Sequence, residues 1–244
     1  MSAQRAKNER EFIQQYDPKR YSGPICSVDM VIFSVLDNRL NVLLIKRDLY
    51  PNKDVWALPG GIIDTAIDET IEATAKRKLE ERTGVLAPYL EQVCTVGNRS
   101  RDPRHWSISV IYFALMNADD AKLNASAGAS EARWFPVDAI GEDISLAFDH
   151  EKLLRLAVER LRNKVRYTML PAYLLPDEFS LKELVDAYRA ILGDVEQAMI
   201  RKRALRKGLV EETGRVRRGS NRPAKLYRIA AGAKDHFFVR NISG

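Results

Sequence analysis

Apolar positions in the first two-thirds of the chain alternate between the spacing of strands and the spacing of helices. The segment SVDMVIFSVL, the dipeptide Asp-Asn and the segment RLNVLLIKR predict a β-hairpin, because two β-rich runs flank a turn. Three later runs predict further strands, at 90–97, 107–116 and 132–137. Apolar residues at helical spacing predict two helices, over 68–82 and 149–164. This alternation predicts one domain, built as a mixed sheet packed between helices.

Helical spacing dominates from Ser180 onward. Ser180 and Glu183 fit a capping box, and the apolar stripe that follows them ends at Gly193. A second helix is expected to start directly after Asp194, its cap, and to end at Gly208. The expected inner face of this helix consists of Val195, Ala198, Met199, Lys202 and Leu205. Two short strands around a basic loop follow, so the order of elements is typical of a winged helix-turn-helix.

These patterns divide the chain into an N-terminal arm (1–20), a first domain (21–164), a connector (165–179) and a winged helix-turn-helix domain (180–244). The predicted fold class is α+β, with a mixed β-sheet sandwiched by helices in the first domain and the winged helix behind it. The connector contains prolines but is rich in apolar residues, which indicates that it packs against another part of the molecule.

Charge is divided unequally between the two parts of the chain. Residues 1–159 contain 20 Lys and Arg against 24 Asp and Glu, a net −4, whereas residues 160–244 contain 19 against 9, a net +10. Such asymmetry indicates that the second part meets an anionic polymer. The apolar runs are too short for a membrane helix and the polar N-terminus has no signal core. With two isolated cysteines, Cys26 and Cys94, a cytoplasmic protein with reduced thiols is expected.

The segment GGIIDTAIDETIEATAKRKLEERTGV, from Gly60 to Val85, resembles the Nudix hydrolase box. That pattern is G-x5-E-x7-R-E-U-x-E-E-x-G-U, where U is a bulky apolar residue. The positions that match it at its C-terminal end are Arg77, Leu79, Glu81, Gly84 and Val85. Glu69 fills the first Glu position, although the gap from Gly61 is two residues longer than in the pattern. Two of the three metal-binding Glu positions hold Lys78 and Arg82 instead.

Positions 78, 81 and 82 are expected to share one face of a helix. In a working box that face would carry −3, whereas here it carries +1. Because Mg²⁺ needs oxygen ligands, we expect neither a metal site nor catalysis. Lys78 and Arg82 either replace part of the metal's charge against a pyrophosphate or are solvated charges. The residues expected to contact such a ligand in and around the box are Arg47, Gly60, Gly61, Arg77, Lys78 and Glu81.

The segment VGNRSRDPRHWSISVIYFAL resembles the ADP-ribose-handling branch of Nudix proteins, which carries a loop like GRDPRGW. The matching residues are Arg101, Asp102, Pro103, Arg104 and Trp106, while His105 replaces the glycine. The resemblance implies that both arginines contact phosphate or ribose and that Trp106 faces adenine. Alternatively, Asp102 and Arg104 form only an ion pair within the turn, and Trp106 belongs to the core. The segment FDH at 148–150 resembles another family element. Either Asp149 only caps the next helix, or the element belongs to the ligand site and His150 is a further candidate ligand.

Basic residues concentrate on the second helix of the C-terminal module and on its hairpin. The residues expected to bind DNA are Gln197, Arg201, Lys202, Arg203, Arg206, Arg217, Arg218, Arg222 and Lys225. Gln197, Arg201 and Lys202 are the expected base readers, because a helix of this type enters the major groove. Arg217, Arg218 and Arg222 are the expected wing contacts. The alternative is that these cations form only a solvated face.

Taken together, these motifs resemble the Nudix-related transcriptional regulators of bacterial NAD metabolism. The resemblance implies a cytoplasmic, homodimeric repressor that binds palindromic double-stranded DNA, responds to ADP-ribose or a related NAD metabolite, and needs no cofactor. A first alternative is an active ADP-ribose pyrophosphatase with an appended nucleic-acid-binding module. A second alternative is an RNA-binding or RNA-processing protein. No membrane partner is expected.

Overall fold

The computed structural model describes residues 10, 13, 23–125, 128–206, 208–218, 223–231, 233 and 238. The predicted hairpin is present as strands β1 (Ile25–Leu36) and β2 (Arg39–Arg47). Its two turn residues, Asp37 and Asn38, have φ angles of 51° and 59°. Two successive positive φ angles are the requirement of a type I′ turn, which Asp and Asn tolerate better than most residues.

Five more strands complete the sheet of the first domain. They are β3 (Trp56–Ala57), β4 (Gly60–Ile62), β5 (Tyr89–Asn98), β6 (Ser107–Leu115) and β7 (Ala129–Pro136). The central path runs β3-β2-β1-β6-β5, while β4 pairs with β1 and β7 with β2. The β1–β6 pair is parallel and the other pairs are antiparallel. The predicted mixed sheet is therefore confirmed.

Helices cover both faces of this sheet. Helix α1 (Ile71–Thr83) packs on the face that carries Val28, Met30 and Ile32. Helix α2 (His150–Val165) covers the opposite face, which carries Val31 and Phe33. Because side chains alternate along a strand, every residue of β1 from 28 to 34 is buried by one layer or the other.

Helix α1 has the ends that its sequence favours. The Thr70 side chain accepts a hydrogen bond from the Ala73 backbone N–H, so the helix begins three residues later than the pattern predicted. Gly84 ends it in the left-handed conformation with φ 70°, as expected of a glycine after a helix.

The C-terminal part forms the predicted winged helix-turn-helix. It contains β8 (Phe179–Ser180), α3 (Leu181–Leu192), α4 (Gln197–Arg206), β9 (Val210–Arg217) and β10 (Ala224–Ile229). The three strands pair in the order β8-β10-β9. The capping box is confirmed, because the Ser180 hydroxyl accepts from the Glu183 N–H while the Glu183 carboxylate accepts from the Ser180 N–H.

The prediction for helix α4 was wrong in two respects. The helix begins at Gln197, two residues after the predicted start, because Val195 is buried in the core and holds the preceding segment outside the helix. The inner face is formed by Ile200 and Ala204, whereas Lys202 and Leu205 are exposed. Ile200 and Ala204 are four residues apart, so they lie on one side of the helix, and it is this side that packs on the core.

The segment between the two domains is part of the core. A short 3-10 helix, Leu170–Leu174, is buried along its whole length. One continuous apolar cluster extends from Phe33 of the sheet through Leu161 of α2 to Tyr188 and Ala204 of the C-terminal module. The apolar content of the predicted connector thus serves to join the two domains. No helix of the described residues is long and apolar enough to cross a membrane.

Candidate functional site

A cleft opens at the point where strand β1 changes partners. Its upper half pairs with β2 through residues 33–36, and its lower half pairs with β4 through residues 27–29. The β5–β6 loop and the start of α2 form the other walls. The polar and glycine residues that line this cleft include Asp29, Arg47, Gly60, Gly61, Arg101, Asp102, Arg104 and His150. Six of the ten predicted ligand contacts therefore meet here, although they come from three separate segments.

Gly60 is required by the close approach of β4 to β1. It lies opposite Asp29 in the antiparallel pair. A Cβ atom at Gly60 would stand 2.4 Å from the Val28 carbonyl oxygen and 2.6 Å from Oδ1 of Asp29. Both distances are shorter than van der Waals contact, so a side chain at this position would push β4 away from β1. The glycine keeps backbone at the floor of the cleft.

Asp29 is a buried carboxylate at the floor of the cleft. It lies on the same face of β1 as Val31 and Phe33, at the end of the apolar row. Ser109 Oγ donates to its Oδ2 at 2.6 Å, and Arg101 Nη2 lies 3.4 Å from the same oxygen. A charge that is only 8% exposed is costly unless it is bonded in this way.

His150, the first residue of α2, is also buried at this floor. Its Nδ1 accepts a hydrogen bond from the Leu58 backbone N–H at 3.0 Å, so the ring proton is assigned to Nε2. Burial lowers the pKa of His150 below its ordinary value, and the ring is therefore neutral at pH 7. Nε2 lies 3.8 Å from Oδ1 of Asp29.

Arg101 ties the β5–β6 loop to α2. Its guanidinium bonds both carboxylate oxygens of Asp149, at 3.2 Å and 3.0 Å. Burial opposes the charge of Arg101, but the bonds to Asp149 and Asp29 outweigh this cost and raise its pKa. The Asp149 side chain makes no capping hydrogen bond to α2, so its role is to hold Arg101.

Two further arginines bring positive charge to the cleft. Arg104 donates to both oxygens of Asp102, at 3.1 Å and 2.8 Å, which is the ion pair within the turn that the sequence left open. Arg47 donates to the Pro51 carbonyl at 2.9 Å and lies 4.9 Å above the Phe148 ring. Burial, followed by repulsion from Arg104, lowers the pKa of Arg47. An added anion would relieve this repulsion.

Trp106 lies at the surface, with 40% of the residue exposed, and the alternative of a core residue is therefore wrong. Its ring lies beside Gly97, where a Cβ would be 3.0 Å from the indole. The ring does not line the cleft described above.

The acidic and basic groups of the box helix bond to one another. Arg77 donates to both oxygens of Asp68, at 2.8 Å and 2.5 Å, and to Oε1 of Glu81 at 2.8 Å. Lys78 Nζ donates to Oε2 of Glu81 at 2.9 Å. Burial raises the pKa of Glu81, yet the bonds from Lys78 and Arg77 leave it below its ordinary value. Lys78 also covers Gly61, since its Cε lies 2.9 Å from the Cβ position of that glycine.

These contacts do not suit Mg²⁺. Both oxygens of Glu81 are already acceptors for cationic side chains, and a divalent ion placed there would stand beside two positive charges. No cluster of three or more potential ligand side chains occurs among the residues that the structure describes. Arg82 does not share the exposed face with Lys78, because it is 3% exposed and points into the protein. The hypothesis that Arg82 meets a pyrophosphate is therefore wrong.

The exposed face of α4 carries part of the predicted nucleic-acid interface. Arg201 and Lys202 are exposed. Gln197 lies one turn before Arg201, and its amide oxygen can accept from that guanidinium. Arg203 faces inward instead, since its Nη1 donates to the Arg166 carbonyl at 3.2 Å and its guanidinium lies 4.7 Å above the Phe238 ring. Its predicted contact with DNA does not fit this position.

The basic strands of the wing pair with nearby acids. Arg217 donates to Glu183 and to the Glu178 carbonyl, and Lys225 lies 2.9 Å from Glu212. Exposed pairs of this kind stabilise the fold little, so a phosphate can replace the carboxylate. Arg218 is exposed. The predictions for Arg222 and for the Arg206 side chain lie outside the described residues.

Family models and solved structures match both halves of the chain. A model of the NUDIX domain matches residues 27–157, and a model of the NrtR DNA-binding winged helix domain matches residues 171–229. The chain is 44% identical to the ADPR responsive transcriptional repressor NtrR of Acinetobacter baylyi over 234 residues. This match covers 96% of this chain and 93% of that protein. The chain belongs to the Nudix-related transcriptional regulators.

Two structures of a regulator from Shewanella oneidensis agree with this assignment. NrtR complexed with a 27mer DNA is 40% identical, with a TM-score of 0.83 and coverage of 89% of this chain and 99% of that one. The NUDIX domain of NrtR complexed with ADP ribose is 44% identical, with a TM-score of 0.59. The match covers 63% of this chain and 99% of that one. The family predicted from the box, the RDPRHW loop and the wing is therefore confirmed.

Two acids of this Nudix-related regulator, Asp29 and Asp68, were not predicted from the sequence as site residues. Asp68, and not the neighbouring Glu69, is the acid that binds Arg77. Asp29 could have been found as the one charge inside the apolar run SVDMVIF. The partners of both acids come from other segments, so no local pattern could identify the pairs.

We predict that Gly60→Ala destabilises this regulator. The added Cβ cannot fit against Val28 and Asp29, and overpacking of this kind costs about 1–3 kcal/mol. Gly23→Ala is the matched control, because nothing lies within 4 Å of a Cβ at Gly23. Urea unfolding monitored by circular dichroism measures both. Equal midpoints for the two variants would contradict the close approach of β4 to β1.

Proposed function

We propose that this protein is an ADP-ribose-responsive transcriptional repressor of genes of NAD metabolism. The observation that carries the proposal is that a cation-lined Nudix cleft and a winged helix with an exposed basic face share one continuous core. The relative from Acinetobacter baylyi is named as an ADPR responsive repressor, which supports the same function here. A repressor of bacterial genes acts in the cytoplasm, which agrees with the location expected from the sequence.

The effector is proposed to lie in the cleft between β4 and the β5–β6 loop. Arg47, Arg101 and Arg104 supply positive charge there, and Gly60 and Gly61 supply backbone that a phosphate can approach closely. Lys78 of the box helix adds positive charge in the hollow next to this cleft, where Glu81 holds it in place and Arg77 bonds the same carboxylate. Trp106 offers its exposed ring for stacking on adenine. Asp102 has a positioning role, because it orients Arg104.

The Nudix domain is proposed to bind its effector without cleaving it. Hydrolysis in this fold needs carboxylates that present Mg²⁺ to the pyrophosphate, but positions 78 and 82 hold cations and Glu81 is bonded by Arg77 and Lys78. The chain therefore binds the pyrophosphate through its own cations and needs no cofactor.

We predict that ADP-ribose binds equally well with Mg²⁺ and with a chelator. Calorimetry of the full-length protein measures the Kd, and chromatography of the same samples checks that the ligand remains intact. Lys78→Met, which keeps the chain length and removes the charge, should weaken binding in both conditions. A Kd that rises strongly on chelation, or the release of AMP, would favour the alternative of an active pyrophosphatase.

The winged helix is proposed to bind a palindromic operator as part of a homodimer. Helix-turn-helix proteins read two half-sites with two-fold symmetry, which requires two copies of the module. On this proposal, α4 enters the major groove with Gln197, Arg201 and Lys202, and the wing places Arg217, Arg218 and Lys225 near the backbone. Duplex DNA fits this arrangement better than single-stranded RNA, since the exposed cations lie on a helix and a hairpin.

Helix α2 gives the cleft a direct connection to the DNA-binding module. Its first residue, His150, lies at the floor of the cleft. In its last turns, Arg162 donates to the Ile191 carbonyl at 3.2 Å, and just beyond it the Thr168 carbonyl accepts from the Tyr188 hydroxyl at 2.6 Å. Arg203 of α4 reaches the Arg166 carbonyl. A shift of α2 on effector binding would therefore move both helices of the DNA-binding module.

We predict that saturating ADP-ribose changes the affinity for operator DNA by at least about fivefold, the lower range of allosteric coupling. Gel shifts of the full-length protein with and without the ligand measure this change. Arg217→Ala combined with Arg218→Ala, which removes two of the proposed backbone contacts of the wing, should reduce the salt dependence of DNA binding, because each lost phosphate contact removes about one unit of slope.

Arg155→Ala is the matched control for that experiment, since Arg155 is an equally charged, exposed residue of α2 in the Nudix domain. It should leave the salt dependence unchanged. DNA affinity that is the same at saturating ADP-ribose would contradict the sensor function. A salt dependence that is equal in the double variant and the control would contradict the proposed interface.

A further inference from the structure

The floor of the cleft presents a hydrogen-bond donor and an acceptor side by side. His150 accepts the Leu58 N–H through Nδ1, so its neutral ring carries its one proton on Nε2. Oδ1 of Asp29 lies 3.8 Å from that nitrogen, which is too far for a direct hydrogen bond. Both residues line the cleft. A single atom that donates and accepts can therefore bridge the two groups.

The two oxygens of Asp29 have different surroundings. Oδ2 is occupied by Ser109 at 2.6 Å and by Arg101 at 3.4 Å. Oδ1 faces the position of the missing Gly60 side chain, at 2.6 Å from where a Cβ would be. Among the described residues no hydrogen bond is made to Oδ1. A buried carboxylate oxygen normally accepts a hydrogen bond, so this one is available to a donor in the cleft.

We propose that Asp29 and His150 form a subsite for a sugar hydroxyl, which determines specificity within the effector cleft. A hydroxyl both donates and accepts hydrogen bonds, so it can donate one to Asp29 Oδ1 and accept one from the Nε2–H of His150. A phosphate oxygen cannot do this, because it only accepts and its charge is repelled by Asp29. This inference rests on the proposed function and adds which chemical group of the ligand occupies the floor.

The rest of the cleft gives the ligand a direction. Arg47 and Arg104 are cations on the walls, whereas Asp29 is the acid at the floor. Phosphates are attracted to the arginines and excluded from the acid, so the sugar must enter first and the phosphates must stay at the walls. The hydroxyl belongs either to the terminal ribose of ADP-ribose or to the ribose of its adenosine. ADP lacks the terminal ribose, so its binding distinguishes these two positions.

Asp29→Asn in the full-length protein is the variant that tests this subsite. The asparagine oxygen can still accept from Ser109, which turns its NH₂ group toward the cleft and replaces the acceptor by a donor. Calorimetry should show an ADP-ribose Kd on the order of 10- to 100-fold weaker, as expected for a lost hydrogen bond to a charged group. The Kd of inorganic pyrophosphate should be unchanged or lower, because the substitution removes a negative charge from the cleft. The affinity for ADP falls together with that for ADP-ribose only if the hydroxyl belongs to the adenosine ribose.

Ser109→Ala is the matched control, since it removes the partner of the other carboxylate oxygen. It should leave the ratio of the ADP-ribose and pyrophosphate affinities unchanged. Equal losses of both probes in Asp29→Asn, or no loss of ADP-ribose affinity, would overturn the subsite. Failure of the wild-type protein to bind ADP-ribose would instead overturn the proposed function.

Analogues of ADP-ribose that each lack one ribose hydroxyl give a second test, which uses the wild-type protein and does not depend on the folding of a variant. One analogue should bind about as weakly to the wild-type protein as ADP-ribose binds to Asp29→Asn. In the variant, removal of that hydroxyl should cost little more, because the two changes remove the same interaction. If every analogue binds as well as ADP-ribose, no hydroxyl is recognised at the floor and the inference is wrong.

Discussion

The burial of helix α2 between the two halves of the molecule is the constraint on which the rest of the structure depends. Its inward residues, from His150 to Val165, pack against the Nudix sheet, and its C-terminal turns contact the winged helix. A 16-residue helix is about 24 Å long, so it spans the distance from the effector cleft to the DNA-binding module as one stiff element. The short 3-10 helix after it is buried as well, which leaves little freedom for the two domains to move separately.

The same sheet that holds α2 also determines the chemistry of the cleft. Strand alternation places Asp29 in the row of Val31 and Phe33, and the first residue of α2 covers it. On the other face of the sheet, the box helix carries Lys78 and Arg82 at two positions where the Nudix pattern has glutamate. A protein that detects a ligand by binding it gains nothing from destroying it. The altered box therefore fits the proposed sensor, in which the arginines of the cleft are the proposed contacts of the pyrophosphate.

The sequence was most informative where structure is determined locally. The Asp-Asn turn, the end of α1 at Gly84 and the capping box at Ser180 each depend on residues a few positions apart. It was least informative about the direction of charged side chains. Arg203 faces the core and Arg82 is buried, because the packing of α4 and of α1 depends on apolar contacts with distant segments. The pairing of Arg101 with Asp149, 48 residues away, is likewise visible only in the folded chain.

On the proposed function, the effector cleft and the DNA-binding module are energetically coupled through α2. Linkage requires that the factor by which ADP-ribose changes the DNA affinity equals the factor by which operator DNA changes the ADP-ribose affinity. The most direct measurement is calorimetric titration of ADP-ribose into the free protein and into its operator complex at one salt concentration. If the two sites are coupled, the two titrations give different Kd values, and the ratio of these values equals the change in DNA affinity. Identical Kd values for the free and DNA-bound protein would contradict it.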